Sequence, residues 1–165
     1  MNIYEFNTET YFKKNLKPFN TGVNLDGLEA KESLCRNYDE KPNILHKERW
    51  NFPSLAGKIG LFIIEFIGNG VSARAVIKKG SLSLVHRSTI AGHRIFILDE
   101  NKDACTGERT GVWFDGQYFP ANKERGDIFI PYGKSTLTCP IIMVHNDFAQ
   151  LANFTRKTES YELEM

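Results

Sequence analysis

The sequence predicts an all-β fold, an antiparallel β-sandwich preceded by a partly irregular N-terminal arm. Three observations carry this prediction. Short apolar segments recur along residues 47–165, each bounded by turn residues, at the spacing of a sandwich. Val71–Lys78 alternates, with Val71, Ala73, Ala75 and Ile77 set against Ser72, Arg74, Val76 and Lys78. That is the period-2 pattern of a strand with one buried face. Finally, Asn69-Gly70 and Asp115-Gly116 sit between apolar runs, and both dipeptides readily take positive φ in a tight reverse turn.

The chain divides by character into an arm, residues 1–46, and a sandwich domain, residues 47–165. The arm is polar with scattered aromatics, Tyr4, Phe6, Tyr11, Phe12 and Phe19. A short strand near the N-terminus and a short helix around Leu28–Arg36 are expected in it, and Pro42-Asn43 marks its boundary. Glu48–Phe52 alternates Trp50 and Phe52 with polar residues and reads as a short strand ended by Pro53. Ile59–Ile67 is apolar on both faces, as a central strand covered on both sides would be. Its β-branched and aromatic content favours a strand over a buried helix. Val71–Lys78 follows through Asn69-Gly70, and Ser81–His86 through Lys79-Gly80, which together read as a meander.

His93–Asp99 is the next expected strand, followed by a polar loop, Glu100–Arg109. The segment Thr110–Pro131 is the centre of the chain. Trp113 and Phe114 lead into the turn at Asp115-Gly116, Tyr118 and Phe119 lead out, and Asp127–Ile130 supplies a third strand stopped by Pro131. Leu137–His145 contains Pro140, which lacks a ladder donor and so places the strand at an edge or a bulge. Asn146–Arg156 reads as a helical turn with Phe148, Leu151 and Ala152 near one face, and Ser160–Met165 as a terminal strand.

Composition narrows the functional classes. The 165 residues are 41% hydrophobic and 25% charged, as in a globular protein with a substantial core. Lysine and arginine total 21 against 20 acidic residues, for a net charge of +1. Such a balance carries no global electrostatic footprint for nucleic acid or an anionic membrane. The strongest apolar run is far too short to cross a bilayer as a helix, and residues 1–17 hold no apolar signal core. Neither a nucleic acid nor a membrane is therefore expected as a partner.

No chemical signature stands out. Cys35, Cys105 and Cys139 are far apart and form no CxxC pair, so reduced, structural thiols are expected rather than a zinc or redox motif. Among His46, His86, His93 and His145, a site built from His86, His93 and His145 can be imagined, but no HxH or HExxH spacing supports it. Cys139 or Cys105 with His145 or His93 is the only nucleophile pairing on offer, and Cys139 lies within an apolar strand. The acidic loop with Asp99, Glu100, Asp103 and Glu108 lacks the spacing of a calcium loop. Lys78, Lys79, Arg87 and Arg94 read as a solvated basic face. The aromatics beside the hairpin weigh more. Alternation buries one of each adjacent pair and exposes the other, so Trp113, Tyr118 and Phe119 are the candidate binding residues.

The segments Ile97-Leu98-Asp99-Glu100, Gly111-Val112-Trp113-Phe114-Asp115-Gly116-Gln117-Tyr118 and Arg125-Gly126-Asp127-Ile128-Phe129-Ile130-Pro131 share a layout. Over roughly residues 47–145 it resembles macroglobulin-like and carboxypeptidase-regulatory-type modules, which are immunoglobulin-like sandwiches. Gly60-Leu61-Phe62-Ile63-Ile64-Glu65-Phe66 is similar to the Gly-x-Tyr-x-Val-x-Val strand of macroglobulin domains. The sequence departs from that pattern after Asp99, where Glu100 replaces the usual glycine. Its Cys105-Thr106-Gly107-Glu108 is not a thioester motif. The resemblance implies a structural module, one of many in a larger chain.

The functional expectation is thus a non-enzymatic module without cofactor or metal, binding a protein partner or neighbouring domains of a larger chain. The alternative is a carbohydrate- or small-ligand-binding sandwich that uses the aromatics near the hairpin.

Overall fold

The computed structural model describes residues 1–39, 41, 44 and 47–159. Among them the chain is all-β apart from one two-turn helix and a single 3-10 turn, and every strand ladder is antiparallel. The chain forms two compact units: Met1–Phe6 with Asn20–Lys79, and Asn7–Phe19 with Gly80–Met165. Residues of the expected arm therefore serve in both.

In the first unit four strands pair in the order β2-β1-β3-β4, namely β1 (Asn2–Phe6), β2 (Glu32–Ser33), β3 (Gly60–Gly68) and β4 (Val71–Lys79). As its two-sided apolar pattern predicts, β3 is an inner strand, and its first six residues are buried whichever face they point to. Ile3, Leu55, Phe62 and Ile64 form a core, with Met1, Phe52, Phe66 and Ile77 packed against it. Glu65, 8% exposed, faces the other way. Its burial is supported by the Arg74 guanidinium at 3.0 Å, directly across the ladder, and by the Tyr4 hydroxyl at 3.4 Å. Arg74 also donates to the Val23 carbonyl at 3.0 Å.

Asn69-Gly70 turns β3 into β4 with φ of 51° and 76°, the both-positive geometry a two-residue hairpin needs. Several local expectations fail in this unit. β4 has no buried face: it is a sheet edge, and Val71 is 71% exposed. The helix expected around Leu28–Arg36 is absent. Those residues instead run without helix into β2, and the Lys31 and Leu34 amides donate to the Ile3 and Met1 carbonyls. Glu48–Phe52 is not a strand, because Pro53 starts a 3-10 turn, Pro53–Leu55, whose buried Leu55 anchors the segment. Pro42-Asn43 and His46 lie outside the described residues, as does the expected strand Ser160–Met165.

The chain leaves the first sheet at Gly80, so the expected meander breaks there: β5 (Ser83–Ser88) pairs not with β4 but with β6 (Gly92–Leu98). The second unit is a two-sheet sandwich. One sheet runs β5-β6-β9, with β9 at Asp127–Pro131. The other runs β11-β10-β7-β8, from β7 (Thr110–Phe114), β8 (Gln117–Pro120), β10 (Leu137–His145) and β11 (Phe148–Arg156). Both sheets contribute to one core, in which Ile95, Ile97, Val112, Ile128, Ile130 and Ile141 are completely buried.

Asn146–Arg156 is strand rather than helical turn. Asn146, at φ 54°, begins a tight turn, and the nine residues of β11 match nine of β10. Short-range helix preference cannot compete with a continuous ladder on an apolar strand. Pro140 does not put β10 at the sheet edge, since β10 lies between β11 and β7. The β7 ladder starts only at Ile141, however, so at Pro140 the strand has β11 alone as its neighbour.

The helix of this unit, α1 (Thr8–Asn15), packs on β11 and β10. Asn7 caps it by accepting from the Thr10 amide at 2.8 Å, Glu9 lies in the first turn, and Lys13 and Lys14 lie in the last. These charges complement the helix dipole. Leu16, at φ 48°, ends it in a left-handed cap.

Candidate functional site

The hairpin forms as its sequence predicts. Asp115 and Gly116 take φ of 50° and 74°, and the turn sets Trp113 opposite Tyr118 and Val112 opposite Phe119. Alternation then separates the three candidate residues. Phe114 is 1% exposed in the sandwich core, and Phe119 packs against that core beside Val112. Trp113 and Tyr118 point to the outer face, half-buried, with ring centroids 5.1 Å apart. Tyr118 lies over Gly111, where a Cβ would come within 2.5 Å of its hydroxyl. Trp113 and Tyr118 therefore form one cluster, and Phe119 belongs to the opposite face.

The outer cluster is already furnished by α1. The Trp113 indole N–H donates to the Glu9 carboxylate at 2.9 Å, and the Lys13 ammonium sits 3.7 Å from the ring centroid, a cation–π contact. Burial, then the neighbouring Glu9 charge, pushes the Tyr118 phenol above its ordinary pKa. Sequence reading missed this partner because α1 was not expected. Asn7 ahead of Thr8-Glu9-Thr10, with Lys13-Lys14 four residues on, was the available signal.

The other candidates are dispersed. His93 is 1% exposed on β6. Its Nε2 accepts from the Lys157 amide at 2.9 Å and its Nδ1 is 3.4 Å from the Ser88 hydroxyl, so the neutral ring carries its proton on Nδ1. Burial first, and then the charges of His86 and Lys157, lower its pKa. His86 and His93 both pack edge-on against Phe154, at 5.2 and 5.3 Å. His145 lies on the other sheet, 2.9 Å from the Thr110 hydroxyl. Among the described residues no three His, Cys, Asp or Glu side chains gather as metal ligands would.

Burial raises the pKa of both the Cys105 and Cys139 thiols, the opposite of what a nucleophile requires. Cys139 and His145 are six positions apart on one extended strand, about 20 Å at the usual rise. In the acidic loop Asp99 accepts from the Asn101 and Asp103 amides, and Glu108 pairs with Lys123 at 2.6 Å, so the carboxylates do not converge. Of the basic residues, Lys79 donates to the Leu55 carbonyl, whereas Arg87 and Arg94 stand directly opposite each other on β5 and β6. A shallow groove of about 420 Å³ in the first unit is lined by Trp50, Phe52, Leu55, Ile77 and Lys79 among others.

These features define a fold class, an immunoglobulin-like antiparallel β-sandwich. Residues 1–80 match the family model described as AbpF first immunoglobulin-like domain, and that match ends where the first unit ends. Along 98% of its length the chain is 37% identical to Actin-binding protein F of Dictyostelium discoideum. It spans 7% of that relative. No solved structure gives a significant match. The likeness is to immunoglobulin-like domains, and not specifically to the macroglobulin or carboxypeptidase-regulatory modules that the turn pattern resembles. The coarse class supported is a structural or interaction domain.

Proposed function

We propose that this chain acts without chemistry of its own, as a structural and protein-contact segment of a larger actin-associated protein. The observation that carries this reading is the 37% identity to Actin-binding protein F over nearly the whole chain, of which it makes up a small fraction. The side chains agree with it. Burial keeps the Cys105 and Cys139 thiols protonated, His93 and His145 are engaged separately, and the Trp113 cluster is used internally by Glu9 and Lys13. A ring whose N–H and one face are already occupied is a poor stacking platform for a sugar, which disfavours the carbohydrate alternative. The hairpin therefore works as a scaffold that seats α1.

The test is co-sedimentation of the 165-residue chain with actin filaments. Saturable pelleting at micromolar filament concentration supports direct contact. A chain that remains in the supernatant at tens of micromolar filament overturns it.

A further inference from the structure

The outer face of the three-stranded sheet β5-β6-β9 has a composition that the fold does not explain. Leu84, Ile95, Ile97, Ile128 and Ile130 turn inward to the core. The intervening residues form two rows across the strands: Arg87, Arg94 and Phe129, then Val85, Phe96 and Asp127. Val85 is 51% exposed and Phe129 47%, so apolar surface is left in water on both rows.

The charges are one-sided. The Asp127 carboxylate is shared by the Arg94 and Arg125 guanidinium groups, each at 3.3 Å. Arg87 has no ion pair among the described residues and directly faces Arg94. At the end of the face Lys102 reaches the Ser83 hydroxyl at 3.5 Å. Arg94 and Arg125 thus share the one carboxylate of the two rows and Arg87 has none, while Lys102 belongs to the loop that also carries Asp99, Glu100 and Asp103. Like charges directly opposite on neighbouring strands destabilise a sheet. A face selected only for solubility would set Arg87 against an acid. Arginine beside exposed aromatic and aliphatic surface is instead the composition of a protein interface, and its planar fork matches a carboxylate.

We propose that this face docks an extended acidic segment of another protein, which sets carboxylates on Arg87 and Arg94 and apolar side chains over Val85 and Phe96. The two rows lie about 7 Å apart, two residues of extended chain. A strand-like segment carrying acid and apolar side chains at alternate same-face positions therefore fits both. This inference rests on reading the chain as an interaction domain and assigns the surface and its partner's chemistry.

The experiment titrates the 165-residue chain against a fluorescent peptide of three Glu-Ser-Phe-Ser repeats, by anisotropy. Saturable binding is expected, weaker by about tenfold or more for the Gln-Ser-Phe-Ser peptide and on Arg87→Glu. Phe129→Ser weakens it several-fold, and Lys14→Glu on α1 leaves it unchanged. Arg87→Glu also converts a like-charge pair into an opposite one, so its Tm should stay level or rise while binding is lost. That combination cannot come from misfolding. Absence of saturation overturns the proposal, as does equal binding by the glutamine peptide or by Arg87→Glu, or an equal loss on Lys14→Glu, which would indicate net charge alone. Filament co-sedimentation runs alongside: filaments bound without peptide overturn this face and leave the proposed function standing, and peptide bound without filaments does the reverse.

Discussion

At the scale of single residues, two glycines of the hairpin are needed for different reasons. Gly111 has φ in the ordinary range but no room: a Cβ there would lie 2.6 Å from the Phe119 carbonyl oxygen and 2.5 Å from the Tyr118 hydroxyl. Gly116 has open space but φ of 74°. Gly111→Ala should therefore cost about 1–3 kcal/mol through overpacking, and Gly116→Ala about 1–2 kcal/mol through backbone strain alone. Urea unfolding of the two variants reads both costs. The requirement at Gly116 follows from the Asp-Gly turn and is legible in the sequence. That at Gly111 comes from a ring on the partner strand and is not.

His93 adds a pH dependence. Burial first, and then the neighbouring charges of His86 and Lys157, favour the neutral ring, so its native pKa lies below the ordinary 6.5. Above that value both states are neutral and the full stability is present. As pH falls below it, the unfolded chain takes up a proton that the native state refuses, and stability declines until the native ring itself protonates. Chemical denaturation at several pH values should show midpoints dropping from neutral towards pH 5, with the drop flattened in His93→Gln.

At the scale of elements, α1 is the piece whose role depends most on context. It is eight residues long, too short to persist alone, and its stability must come from packing. The link is Thr8: 1% exposed, its hydroxyl accepts from the Ala149 amide of β11 at 2.6 Å. The helix thereby engages a backbone donor of an edge strand that would otherwise be open. Thr8→Val keeps shape and removes the acceptor, leaving that N–H buried and unpaired, so a loss of about 1–3 kcal/mol is expected. Hydrogen exchange should show faster exchange at Ala149. The same contrast explains the misread elements. Asn146–Arg156 carries a weak helical pattern, yet the turn at Asn146 delivers it onto β10 in register, and the ladder prevails.

At the scale of the whole molecule, the chain crosses between its two units more than once: β1 serves the first, α1 the second, and residues 20–79 return to the first. A division at residue 46 amounts to a claim that residues 47–165 fold alone. Such a fragment lacks β1, which pairs with β3 along five positions, and α1, which supplies Glu9 and Lys13 to Trp113. We expect the fragment to lose cooperative unfolding of the β3-β4 sheet and to self-associate through the bared edge of β3. Calorimetry and light scattering against the 165-residue chain measure this, and a sharp, monomeric transition would establish the fragment as a domain.

By itself the sequence determined what local chemistry can determine: the all-β class, the Asn69-Gly70 and Asp115-Gly116 turns, the two-sided burial of β3, and the alternation that sets Trp113 and Phe114 on opposite faces. Turn type and period are properties of a few adjacent residues, so they survive without tertiary context. Only the tertiary structure decided which strands pair after Gly80, that Trp113 is covered by a helix over a hundred positions away, and that Arg87 faces Arg94 across a sheet with an uncovered outer face. Those outcomes rest on which distant segments bury the most apolar surface together, and no window of neighbouring residues contains that comparison.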